Sequence, residues 1–172
     1  MNKLNNVFLQ LLVVAMFLSS CNGCKTTPDT NDTTPPTIDW TVANKTTGVE
    51  TKVEGSGSVT VKRGDELTVT ACVNDQGGVK EIKSSSNFGY SCSGGGIGQS
   101  VGPSLGVVET TPLGLDADGK AWSRYCRISA LSTNFSCSQG LSFSSGSYSM
   151  NLEGKNFAGL TASATLGITV NP

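Results

Sequence analysis

Ala162-Ser163-Ala164-Thr165-Leu166-Gly167-Ile168-Thr169-Val170 alternates apolar with small or polar residues without a break. A period of two sends successive side chains to opposite faces, so this stretch predicts a strand with one buried face. The same period recurs upstream. Ile38, Trp40 and Val42 share a face, as do Val59 and Val61, and Leu67, Val69, Ala71 and Val73 follow the Arg63-Gly64-Asp65 turn. Leu141 and Phe143 precede Ser144-Ser145-Gly146, and Tyr148, Met150 and Leu152 follow it. Short in-phase runs separated by Gly, Asn and Ser clusters predict an all-β antiparallel sandwich.

Composition narrows the function. Charged residues are only 15% of the chain and the formal net charge is −1, which gives no electrostatic case for a nucleic-acid partner. Histidine is absent, so the usual general base near neutral pH is missing, and no Ser-x-x-Lys motif replaces it. Glu109 and Asp116 are carboxylates of the kind a glycosidase pairs, yet nothing in the sequence brings them together. The chain is therefore expected not to be an enzyme, with no catalytic residues, no cofactor and no metal site. Asp116-Ala117-Asp118-Gly119 resembles the opening of a calcium loop but lacks the later ligands, so a turn is expected. Asn74 and Asp75 could offer oxygens to a cation at one tip, although a hairpin turn is the simpler reading.

The N-terminus reads differently. Lys3 is the only charge before an apolar run, Val7 to Leu18, that Gln10 alone interrupts. That run is short for a membrane span, which needs about 20 residues, and Met1–Ser20 reads as a signal peptide. Leu18-Ser19-Ser20-Cys21 resembles the lipobox of bacterial lipoproteins. The resemblance implies cleavage before Cys21, diacylation of that cysteine, and residence in the cell envelope with the lipid as the membrane attachment. Asn22, where an Asp would favour inner-membrane retention, points to the outer membrane. Residues 21–36 are rich in Asn, Thr, Pro and Asp and are expected to be a flexible tether, leaving 37–172 as the folded domain.

Four cysteines, Cys72, Cys92, Cys126 and Cys137, fall in that domain. An even number in an exported chain predicts two disulfides, with three pairings open. Asp32-Thr33-Thr34-Pro35-Pro36-Thr37-Ile38 resembles the opening of bacterial Ig-like repeats. Gly64 to Ala71, followed by the acidic turn Asn74-Asp75-Gln76-Gly77-Gly78, resembles their second strand and the turn into the third. Gly146 to Met150, with Gly159 and the last strand, resembles their closing hairpin. The topology so implied favours Cys72 with Cys137 and Cys92 with Cys126. Residues 84–139 depart from the pattern and read as an inserted, disulfide-pinned edge. A glycine-rich loop at Gly94-Gly95-Gly96, a strand from Leu105 to Thr110, and a strand with Trp122, Cys126, Ile128 and Ala130 on one face are expected there. Phe88, Tyr90, Trp122, Tyr125 and Phe135 are expected to be that segment's own core rather than recognition anchors. The combined expectation is a lipid-anchored envelope module that binds a protein or glycan partner or has a structural role. The alternative is an inhibitor or accessory subunit that presents residues 84–139 to an envelope enzyme or transporter.

Overall fold

The computed structural model describes residues 24–94, 97–101 and 108–172, and these residues are all-β. Their strands are β1 (Lys25–Thr26), β2 (Thr37–Asn44), β3 (Glu50–Glu54), β4 (Gly57–Lys62), β5 (Glu66–Gly94), β6 (Ile97–Val101), β7 (Glu109–Pro112), β8 (Ala121–Ser132), β9 (Ser142–Asn156) and β10 (Thr161–Asn171). They form one curled, mixed sheet; the β4–β10 pair is parallel and the others are antiparallel.

The 29-residue β5 organises that sheet. Its first half, Leu67 to Asn74, lies between β2 and β8. Its second half, from Val79 onward, pairs with β9 on one side and with β7 and β6 on the other. The expected acidic turn at Asn74–Gly78 is therefore not a reversal. The strand bends there, with a register shift against β8 across the bend and one against β9 just after it, and continues into the other half of the sheet. Gly78 makes the bend possible. Its φ is +97°, and a Cβ there would sit 2.6 Å from the Cβ of Ala121.

The bend lets the sheet fold over its own apolar face. Ile38, Trp40 and Val42 from β2, with Val69 and Val73 from β5, meet Leu152, Leu166 and Ile168 from β9 and β10 in one core. Each such side chain contributes about 1.5–3 kcal/mol of burial. Trp40 is almost wholly buried, and its indole N–H is satisfied by the Gly55 carbonyl at 2.9 Å. Ala162, Ala164, Leu166 and Ile168 of β10 face this core as their alternation predicts, and Val170, on the same face, joins a second cluster with Phe135 and Phe143.

Beyond this core the second half of the sheet extends further, and its overhang is covered by a loop. Residues 133–141, between β8 and β9, lay Phe135 onto Phe88, Tyr90, Phe143 and Tyr148, with ring centroids 4.9–6.4 Å apart. Tyr90 donates its hydroxyl to the Ser136 carbonyl and Tyr148 donates to that of Ser132. Burial, with the Glu66 carboxylate nearby, holds the Tyr148 phenol above its ordinary pKa and so keeps it a donor. Ser144-Ser145-Gly146 is not a turn either, since β9 runs straight through it. Gly146 is needed for packing, because a Cβ there would meet the Phe135 ring at 2.7 Å.

Two further expectations change. Residues 84–139 are not a separable insertion: 84–94 continue β5, and β8 pairs along its first half. The stretch from residue 24 to Pro36 is not a free spacer. β1 pairs with Trp122 and Ala121 of β8, the Cys24 carbonyl accepts from both the amide and the hydroxyl of Ser123, and Asp29 donates its amide to the Gly77 carbonyl. Lys25 lies over the Trp122 ring and pairs with Asp116 at 2.7 Å. That hydrogen bond, aided by the Lys120 amide, holds the Asp116 carboxyl below its ordinary range.

Phe135 is the plug of the overhang, so Phe135→Ala should destabilise the protein by about 3–5 kcal/mol. Urea denaturation of the purified protein measures this, and a loss under 1 kcal/mol would show that the loop contributes little to the overhang's core.

Candidate functional site

The inward face of the second half of β5 reads Ile82, Ser84, Ser86, Phe88, Tyr90. Ile82 belongs to the main core, and Phe88 and Tyr90 pack in the aromatic one. The two serines between them are too small to fill the space opposite β8. A cleft of about 370 Å³ remains there, with Trp40, Met150 and Leu152 among its apolar lining and Ser84, Ser86 and Arg127 among its polar lining.

Arg127 commands the mouth of this cleft. Its position on β8 opposite Ala71 directs it across the gap between β8 and β7. One guanidinium nitrogen donates to Ser84 Oγ at 2.5 Å, and the other pairs with Glu109 on β7. A guanidinium stays protonated, so it cannot activate the Ser84 hydroxyl as a nucleophile. A fork of donors beside serine hydroxyls over an apolar floor instead suits recognition of a ligand bearing hydroxyl or carboxylate groups. Glu109 and Asp116, the two carboxylates considered for glycoside chemistry, are held by different cations, Arg127 and Lys25.

The disulfides differ from the expected pairing. Cys72 is bonded to Cys126 and Cys92 to Cys137. Strand order is the reason: the partner of the first half of β5 is β8, whose register puts Cys126 directly opposite Cys72. β9 runs beside the second half of β5, which brings Cys92, near the end of β5, close to the covering loop that carries Cys137. Cys21, the expected lipidation site, and the leader 1–20 lie outside the described residues, as do Gly95, Gly96 and residues 105–107 of the strand expected at Leu105–Thr110, whose last two residues open β7.

The face of β5 that carries Cys72 also bears a network invisible to sequence reading. Arg124 reaches both carboxylate oxygens of Asp39 at 3.0 Å and the Asn74 side-chain oxygen at 2.5 Å, while the Asn74 amide donates to Asp39 at 2.7 Å. It ties β2, β5 and β8 together and occupies Asn74, which is thereby removed as a cation ligand. Asp116–Gly119 forms the expected turn: Asp116 Oδ1 accepts from the amides of Asp118 and Lys120. Of the aromatic residues of 84–139, Phe88, Tyr90 and Phe135 build the segment's own cluster as expected, whereas Trp122 and Tyr125 are only partly buried and pack on the main core instead.

Among the described residues no helix is long and apolar enough to cross a membrane. Compared with protein-family models and with curated proteins, the chain matches none. What the fold defines is thus a class: a disulfide-braced all-β module with a polar-mouthed cleft between the two halves of its sheet.

Arg127→Ala removes the ion pair that joins β8 to Glu109 of β7. As a part-exposed pair its loss should lower stability by only about 0–1 kcal/mol. The amides of Thr110 and Thr111 should nevertheless exchange faster in hydrogen-exchange measurements, and unchanged protection would show that β7 is held by its backbone pairing with β5 alone.

Proposed function

We propose that this chain is a lipid-anchored bacterial envelope lipoprotein whose Ig-like body works by binding or as a structural component, without chemistry of its own. The observation that carries the reading is the pair of disulfides, Cys72–Cys126 and Cys92–Cys137. Such bonds persist in oxidising compartments outside the cytoplasm. An exported chain fits the leader-like Met1–Ser20, and the lipobox-like Leu18-Ser19-Ser20-Cys21 supplies the anchor. Two or three acyl chains hold firmly where one holds marginally, at about 0.8 kcal/mol per buried methylene. The outer membrane is the proposed destination, on the strength of Asn22.

Binding is favoured by the cleft. Its Arg127, Ser84 and Ser86 groups match the hydroxyls of a glycan or the polar side chains of a protein partner. The bonded framework holds them rigid, which lowers the entropy lost on binding.

Two measurements test the reading. Cys21→Ala should move the protein from the membrane fraction to the soluble envelope fraction, and a variant that stays with the membrane would remove the lipid from the account. A panel of envelope glycans and peptides should yield a ligand whose binding falls at least tenfold in Ser84→Phe, which fills the cleft. Undiminished binding to a variant that keeps its fold would place recognition elsewhere.

A further inference from the structure

At the bend in β5, Asp75 is buried to 7% exposure. One of its carboxylate oxygens accepts from the Asn156 side-chain amide at 3.3 Å, and that amide also donates to the Thr34 carbonyl at 3.1 Å. The other oxygen, Oδ1, is buried and has no hydrogen-bond partner. Buried carboxylate oxygens without partners are costly and call for a specific explanation.

The neighbour of this carboxyl is a second carboxyl. Asp32, on the segment before β2, reaches over the bend so closely that its Oδ2 lies 2.6 Å from where a Cβ at Gly77 would stand. Its other oxygen is fixed by the amide and hydroxyl of Thr34, at 2.8 and 2.6 Å. Asp32 and Asp75 perturb each other. Burial, reinforced by the Asp32 charge, pushes the Asp75 carboxyl upward, while the Thr34 contacts pull Asp32 down. Two carboxyls on segments far apart in sequence are thus neighbours at the bend, and one of them keeps a buried oxygen that no donor reaches.

We propose that Asp32 and Asp75 bind a hard divalent cation of calcium's kind, which clamps the strap onto the bend of β5. Among the described residues no group of three acidic, His or Cys side chains assembles, so the two carboxylates act with backbone oxygen and water. Asp32 is only half-buried, which leaves room for those waters. Few protein ligands and a flexible strap predict weak affinity, about 0.1–1 mM, in the range of extracellular calcium modules. The site lies apart from the cleft and does not depend on the function proposed for it.

The test uses the purified full chain, with Asp32→Asn and Asp75→Asn beside it, each stripped with chelator and titrated with calcium chloride. Thermal unfolding of the parent should rise by about 5 °C at about 10 mM calcium, and each variant should move by less than about 1 °C. In chelator Asp75→Asn should unfold above the parent, because a neutral amide replaces the buried charge and can donate to Asp32. Circular dichroism establishes that both variants fold, and Asp32→Asn, at the less buried position, is the safer of the two. A parent that ignores calcium overturns the proposal, and with a stabilised Asp75→Asn it identifies a proton shared between the carboxyls instead. Equal responses in parent and variants, or the same shift from sodium chloride at equal ionic strength, overturn it as well.

Discussion

A single strand must serve two halves of a folded-over sheet, and every other feature of this protein accommodates that demand. β5 carries 29 residues, and neither half of the sheet exists without it. The bend at Asn74–Gly78 is where its pairing partners change, from β2 and β8 to β7 and β9. A regular pleat at this point would keep the halves coplanar and leave the faces of Trp40 and Leu166 to solvent. The positive φ of Gly78 and its close approach to Ala121 are therefore a condition for the core to close.

The disulfides act on the same strand. Cys72 and Cys92 lie on opposite sides of the bend, and each is tied to a segment that follows β7: Cys126 within β8, Cys137 in the covering loop. The loops they close, 54 and 45 residues in sequence separation, interlace. Each alone would restrict the unfolded chain by about 4 kcal/mol in the chain-entropy model, and interlaced loops give less than the sum. This bracing suits a chain whose second half is rich in serine and glycine and packs fewer large side chains. The aromatic plug at Phe135 and the bond at Cys137 sit two residues apart, so packing and covalent constraint act at one place.

Strands with one buried face were legible in the sequence, because alternation is local. Ile38–Val42, Leu67–Val73 and Ala162–Val170 needed only their own residues. The features that require knowing which strand lies next to which were not legible. Asn74-Asp75-Gln76-Gly77-Gly78 has the composition of a reversal, and the same tolerance of unusual dihedrals serves a bend in a continuing strand. The cysteine pairing followed from placing β9 beside the first half of β5, where β8 in fact lies. Ser84 and Ser86 are in phase with Ile82 and Phe88, and that phase is the signal by which the cleft could have been found. Serines in a strand read as surface until the opposite strand is known to be too far away to cover them. Arg127 gave no signal, and Glu109 stood out only as a glycosidase-type carboxylate, because single charges on separate segments do not reveal that they pair.

The docked strap changes what the proposed anchor would do. A tether free from residue 21 to 36 would let the body range widely from the bilayer. With Lys25 and Thr26 paired to β8, only the residues between Cys21 and Lys25 could span the gap, roughly 10–14 Å when fully extended. The bend of β5 and the Trp122 end of β8 would then face the lipid. From Val79 to Cys92 the second half of β5 runs about 43 Å at the usual rise per residue, which carries the aromatic overhang and its covering loop outward. On the proposed anchoring the body is an oriented post rather than a tethered sphere. Its bend would form the base, and the cleft between β8 and β7 would open on its flank. A partner in the envelope would have to approach from that side.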